Sequence, residues 1–506
     1  MQKERYEKEI SELKLKLGEI SHLGSTLALL NWDQEVNMPR KAGASRAQAI
    51  SYLSGVIHNK FLDLNKKSVL GTLKEAVDKK KIRGNNAIIV VELWRSYERE
   101  RKLTDSHVRA LAELASQAHT AWVKARHENK FSIFLPYLEK LVELKRKEAK
   151  LIGYQDSPYD ALLDGFEPGL TAKETSRILN ELKAFLVLFL AKVRRLNLKS
   201  QKNKIHGKFP ILEQRKFSEL IMTKMGFDPE AGRIDESAHP FTSGFHPHDV
   251  RFTTRYYEHN VLESITCTIH ETGHALYDQG LPVEHFGTPL AEATSLAIHE
   301  SQSRLWEIFI GKSSPFWRYF YPKLQKFFPK PFKNIPVSEF NKVLNEINPA
   351  FIRTESDEVT YNLHIILRFE IEKMLIEGQI EAKDLPEIWN SKMKSYLGLD
   401  VLSDSVGVLQ DVHWSHGYFG YFPCYTLGNL YGAQFYYTMR KQIKDIDKKM
   451  VKGEFGEIRE WLRAHIHVHG KTYMAAEIVK RVTGEKLNPK YFIQYVALKY
   501  SKLYKI

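Results

Sequence analysis

Only two cysteines, Cys267 and Cys424, occur in 506 residues. That excludes a disulfide framework and fits a reducing compartment, the cytoplasm. Long apolar runs are missing too. The longest, Ala184–Ala191, falls far short of the roughly 20 residues that cross a bilayer. No apolar leader opens the chain: Met1 to Leu17 alternates charges with Ile10, Leu13 and Leu17 and reads as an amphipathic helix. A membrane partner is therefore not expected. Internal repeats and low-complexity linkers are absent. Strand signals are sparse, the best being Phe252 to Tyr257.

What the chain does carry is charge and helical periodicity. Its net charge is +14, which raises the question of nucleic acid. The basic clusters at Lys79-Lys80-Lys81, Arg194-Arg195, Lys202 to Lys208 and Lys448-Lys449 are scattered and lack interleaved aromatics, so solvated faces are expected instead. Helices are expected over Met1–Trp32, Ala44–Phe61, Ile82–Leu103, Ser106–Glu128, Ile133–Ile152, Thr171–Leu198 and Lys208–Met225. Val337–Ile347, Ser356–Glu377 and Tyr425–Met450 continue the pattern. Thr171 with Glu174 forms a capping-box signature.

One stretch carries chemistry: His270-Glu271-Thr272-Gly273-His274, an H-E-x-x-H motif. Val261 to Tyr277 has Leu262, Ile265, Ile269 and Leu276 at near-helical spacing, so the motif falls on a helix. Residues four apart share a helix face, so His270 and His274 can reach one metal ion. Glu271 sits beside that face, placed to act on water as a general base. Two histidines on zinc with an adjacent glutamate are the working parts of a zinc peptidase. Gly273 costs roughly 1 kcal/mol of helix propensity against alanine. Its expected use is close approach by another backbone or a substrate. A surface helix with two incidental histidines is the bland alternative.

A third protein ligand is needed. Metzincins place a glycine three residues, and a histidine six residues, after the second histidine. Here those positions hold Tyr277 and Gly280, which excludes that class. A downstream carboxylate is the other solution. Thr288 to Phe309 reads as a returning helix carrying Glu292 and then His299-Glu300-Ser301-Gln302. Glu300 follows His274 by 26 residues, room for a helix end, a loop and a return. It is favoured over Glu292, which lies barely one turn into that helix. His299 reads as a neighbour of the site, and Cys267 as a buried, inert thiol rather than a ligand.

Further motifs make the chain resemble the carboxypeptidase Taq family of thermostable metallocarboxypeptidases. His239-Pro240-Phe241 is similar to its H-P-F, and Asp249 to Thr253 to its D-x-R-x-T. His270 to His274 and His299 to Gln302 resemble its H-E-x-x-H and H-E-S-Q. Ile352 to Asp357 resembles I-R-x-x-[AS]-D, and Gly407 to Trp414 resembles G-x-x-Q-D-x-H-W. Trp32 to Glu35 with Met38-Pro39, Tyr159 to Asp164, and Gly420 to Gly428 add to the likeness, which covers almost the whole chain. His246-Pro247-His248 departs from the smaller, glycine-containing turn expected there, and is read as a loop with solvated histidines.

The resemblance implies a mainly α, saddle-like molecule with a deep groove and a small β-sheet near the zinc helix. It implies one catalytic domain over 1–506, with a helical lobe to about 230 and the zinc site in a second lobe from about 231. It implies a metal site of His270, His274 and Glu300, holding zinc, with cobalt able to substitute. Glu271 is the expected base, with His413 and Tyr421 as oxyanion donors and Tyr418 in reserve. A carboxypeptidase must grip a free carboxylate, and a guanidinium does so bidentately. Arg353 is the first choice and Arg251 the second; either could instead serve Asp249, Asp357 or Asp411. The implied activity is release of single C-terminal residues from peptides with broad specificity, by a homodimer. An oligopeptidase cutting inside short peptides, and a non-catalytic helical peptide-binding protein, are the alternatives.

Overall fold

The computed structural model describes residues 2–196 and 204–505. Met1, the expected helix end at Leu198 and the basic Lys202 lie outside the described residues. The described residues are 72% helical with one small sheet, so the fold is mainly α. Helices Gln2–Val36, Gly43–Leu62, Asn85–Glu100, Asp105–Glu128 and Phe131–Ile152 lie where the apolar spacing places them. Thr171 Oγ1 accepts the Glu174 N–H at 3.2 Å, so the N-cap half of the expected box is in place. Among the described residues no helix is long and apolar enough to cross a membrane.

Two expected helices are broken. Thr288 to Phe309 is not continuous: a 3-10 turn, Pro289–Ala291, is followed by extended backbone at Glu292. A new helix, Leu296–Arg304, starts only where the Ser295 side chain accepts the Ile298 N–H, and it passes into a π-helical turn, Leu305–Gly311. Tyr425 to Met450 likewise divides into Pro423–Gln442 and Ile446–Lys452, because Ile443 is extended and Asp445 is left-handed at φ 54°. The helices Gly456–His465, Ala475–Thr483 and Lys490–Tyr504 were not expected.

The sheet has three strands, β1 (Gly232–Glu236), β2 (Thr242–His246) and β3 (Asp249–Thr254), in the order β1-β3-β2. The first pair is parallel and the second antiparallel, with Ile234 and Thr242 both opposite Phe252. The expected strand at Phe252 thus exists, three residues earlier than its sequence pattern suggests. Its buried side, Val250, Phe252 and Thr254, packs on the helix Val261–Gln279. That helix holds the H-E-x-x-H motif, so the sheet backs the site.

One large apolar core runs from Ala118 to Tyr500. A separate small cluster joins the first helices through Leu13, Leu17, Leu70, Leu73 and Val90. The helix Tyr361–Glu377 is buried nearly all round and forms the axis of the main core. A helix without a wet face should be apolar throughout. This one nevertheless carries Asn362, His364, Arg368 and Glu372, each fully buried.

Candidate metal centre

His270, His274 and Glu300 converge as the spacing predicts. One ligand atom from each lies within 4.8 Å of the others. Glu300 Oε2 is 3.3 Å from His274 Nε2 and 3.8 Å from His270 Nε2. Two imidazole nitrogens and a carboxylate oxygen are the donor types of a three-ligand metal site with an open position. Glu292 is far from this group in role: it pairs with Lys471 at the surface.

Two glycine contacts bring the ligands together. A Cβ on Gly273 would lie 2.7 Å from the Ser303 Cα, so only glycine lets the helix Leu296–Arg304 press on the motif helix. This is the close backbone approach that the sequence suggested for Gly273. From the other side, a Cβ on Gly428 would lie 2.6 Å from Glu300 Cγ. The helix Pro423–Gln442 therefore seats directly against the third ligand.

Charged groups then set the ligands' states. Glu307 Oε2 sits 2.8 Å from His270 Nδ1 and fixes that nitrogen as the donor, leaving Nε2 for a metal. Burial pulls the His270 imidazole down, but Glu300 and Glu307 outweigh it and hold it above its usual value. Metal binding must displace that proton. Burial and the neighbouring His299 push His274 down to about 4, so it is neutral and ready to ligate. His299 stacks on His274 at 4.4 Å and meets Asp278 Oδ1 at 3.0 Å. It is a neighbour, as expected, and not one of the three converging groups. Burial pushes Glu300 up, but Arg304 and the two histidines bring it well below the usual carboxylate range. Arg304 Nε donates to Glu300 Oε1 at 2.7 Å, and Nη1 to Glu307 Oε2 at 3.0 Å.

Glu271 is buried beside the pair, and its Oε2 accepts from Thr242 Oγ1 at 2.6 Å. Thr242 opens β2 directly after His239-Pro240-Phe241. Burial raises the Glu271 carboxyl above its ordinary value, against the pull of His270 and Thr242. A raised carboxyl suits proton exchange near neutral pH. Cys267, by contrast, is pushed up to about 12 by burial and nearby carboxylates, so its thiol keeps its proton.

A model of the Carboxypeptidase Taq (M32) metallopeptidase family matches residues 12–500. The chain belongs to this family. Carboxypeptidase 1 of Bacillus subtilis is 40% identical over 99% of both chains. Thermostable carboxypeptidase 1 of Thermus thermophilus is 39% identical, covering 96% of this chain and 97% of that one. A solved carboxypeptidase of the same family from Deinococcus radiodurans superposes with a TM-score of 0.94 at 32% identity, over 99% of this chain and 100% of that one. The chain is accordingly a metallocarboxypeptidase, a hydrolase of peptide bonds, and its His270–His274–Glu300 cluster fits the metal ion such an enzyme needs.

Other carboxypeptidase Taq motifs gather on a second wall. Arg353 is 7% exposed; its Nε donates to Asp411 Oδ1 at 3.0 Å and its Nη1 to Tyr361 Oη at 2.9 Å. Asp411 also takes the Nε–H of Arg368 at 2.7 Å. His413 lies with Nε2 3.4 Å from Tyr425 Oη, and Tyr421 is 5.4 Å from it ring to ring. Burial, with Arg353 and Arg368 close by, pushes His413 down to about 4. Tyr421 is pushed up to about 12 by burial and keeps its proton. Tyr421 and Tyr425 both feel the charge of Glu300, which ties this wall to the ligands. Tyr418 stacks on Tyr421 at 6.0 Å and is 47% exposed.

Arg251 is committed elsewhere. It grips Asp249 with two bonds of 2.9 and 3.1 Å and stacks over Trp32 and Phe245. His246 and His248 lie outside the ligand group: His246 closes β2, half-buried against Phe286 at 4.4 Å rather than in a solvated loop, and only His248 is exposed in the turn after it. Sequence reasoning missed Thr242, Arg304, Glu307, Tyr361, Arg368 and Glu372. The spacing of Glu300, Arg304 and Glu307 (i, i+4, i+7) was the available signal, since it repeats one helix face. Arg368 and Glu372 carried no comparable signal, since Glu370, Lys373 and Glu377 share their helix.

Proposed function

We propose that this carboxypeptidase binds one zinc ion at His270, His274 and Glu300 and removes single C-terminal residues from peptides with broad specificity. The observation that carries the reading is the convergence of those three groups with Glu271 alongside. The two-imidazole, one-carboxylate set suits zinc, and cobalt by the same donors. Bound zinc would supply Lewis acidity, polarising the scissile carbonyl and easing deprotonation of water.

The protein's own groups do the rest. Glu271, aimed by Thr242, accepts a proton from the attacking water and delivers it to the leaving amine. Tyr421, with its phenol proton in place, and His413 donate to the developing oxyanion, with Tyr418 in reserve. Arg353 receives the substrate carboxylate. Asp411 Oδ1 lies 3.0 Å from both Nε and Nη2 of Arg353 and Tyr361 Oη 2.9 Å from its Nη1, and Asp411 with Arg368 behind it keeps the guanidinium oriented while N–H groups remain for the substrate. Arg251 is the second candidate; Asp249 holds its fork, and Trp32 and Phe245 cover its guanidinium. Two free cysteines support a cytoplasmic enzyme. The family resemblance supports a homodimer.

Mass spectrometry of free and amidated peptide digests, with bound metal measured on the same sample, tests this. Free peptides should lose single residues and amidated ones should resist. Equal cleavage of both would favour the oligopeptidase. Arg353→Ala should raise KM by more than about tenfold for free-carboxylate substrates and much less for amidated ones. Equal losses would overturn the role of Arg353.

A further inference from the structure

The buried helix Tyr361–Glu377 holds a polar stripe of His364, Arg368 and Glu372, spaced by four residues and so on one face. Arg368 is accounted for by Asp411. Glu372 has no part in the chemistry above, yet it is fully buried and meets three donors. Its Oε1 accepts the Trp414 Nε1–H at 2.8 Å. Its Oε2 accepts the Tyr159 O–H at 2.7 Å and the Gly420 N–H at 2.9 Å. Trp414 and Gly420 bracket the segment between His413 and Tyr421, so one carboxylate pins that stretch at both ends.

The far side of the segment is fixed as well. Gly420 has φ +92°, and a Cβ there would lie 2.8 Å from the Leu162 carbonyl carbon. Leu162 belongs to the helix Pro158–Leu163, which also supplies Tyr159. From the loop after that helix, Phe166 packs edge-on against Tyr421 at 5.3 Å. A buried carboxylate is costly unless its oxygens are satisfied, and a fully satisfied one is rigid. Burial pushes Glu372 up to about 7 in spite of its three donors. Rigid placement matters here, because a shift of about 1 Å in a donor to the reacting atoms costs about 10²-fold in rate.

We infer that Glu372 is a positioning residue of the reaction: through Trp414 and Gly420 it sets the backbone that aims His413 and Tyr421 at the substrate. The inference rests on the reading of those two side chains as oxyanion donors. The test compares kcat, KM and bound metal in Glu372→Gln, Tyr421→Phe and the double variant. Glu372→Gln should lower kcat about 10–100-fold with KM and metal content little changed. Tyr421→Phe should then cost much less in the Glu372→Gln background than in the native enzyme. A kcat within about twofold of native, or strictly additive losses, would overturn the inference. Should Glu372→Gln fail to fold, Trp414→Phe and Tyr159→Phe each remove one donor and keep the carboxylate. A native kcat in both would overturn it equally. The two readings fail apart: native kcat in Tyr421→Phe and His413→Ala removes the oxyanion role, whereas native kcat in Glu372→Gln removes the positioning role.

Discussion

Around His270, His274 and Glu300 the carboxylates of Glu300 and Glu307 meet Arg304 and His270 at hydrogen-bond distance, whereas the His413–Tyr421 segment faces the site with aromatic rings and a neutral histidine. The two walls also differ in what fixes them. The ligand wall is made by two helices in glycine contact, with Arg304 at the end of one of them and Glu307 in the π-helical turn that continues it. The other wall is a short irregular segment that depends on groups far away in sequence. Arg353 and Arg368 hold it through Asp411, and Glu372 holds it through Trp414 and Gly420. The contrast extends to ionisation. Glu307 is brought down to about 2 by Arg304 and His270 although burial opposes it, while Glu372 is pushed up to about 7 by burial. One wall is ordered by charge and carries the candidate metal ligands; the other is ordered by buried hydrogen bonds and carries the candidate donors.

Substitutions can break this contrast. Glu300→Ala carries the largest effect: bound metal should vanish and activity fall to background, because a ligand and the partner of Arg304 go together. Metal analysis of the purified variant decides it; a full complement of metal would mean Glu300 is no ligand. Glu271→Gln should keep its metal and lose about 10²–10⁴-fold in kcat, separating proton transfer from ligation on one wall. Native turnover would remove Glu271 as the base. Gly428→Ala tests whether the helix seat against Glu300 matters to the ion. It should weaken metal affinity about tenfold, as the loss of a ligand's supporting contact does, with the fold retained. Unchanged affinity in a chelator titration would show that Glu300 tolerates the shift. Arg251→Lys should be mildest, below about 1 kcal/mol in unfolding, since its pair with Asp249 is partly exposed. A drop in kcat/KM specific to free-carboxylate peptides would instead bring Arg251 into substrate binding.

Legibility followed the same division. His270 and His274 could be read directly, because a four-residue step on a helix is itself a geometric statement. Glu300 was readable from its distance along the chain and from the family likeness. The helix around it was not, since Pro289 and the Ser295 cap delay its start until Leu296. The split between Gln442 and Ile446 was missed because it depends on a left-handed Asp445, which has no apolar periodicity to announce it. Glu372 and Arg368 were hidden differently: in sequence they are ordinary charged residues of a helix, and only burial on all sides makes them unusual.

Local spacing, then, determined the helical class and the H-E-x-x-H face, because helix geometry is set within a few residues. Tertiary structure decided which arginine is committed to which carboxylate: Arg251 to Asp249, and Arg353 with Arg368 to Asp411. It also decided that Tyr159 and Glu372, 213 residues apart, support one segment. Ion pairs and buried hydrogen bonds depend on distances in space, which the order of residues does not record.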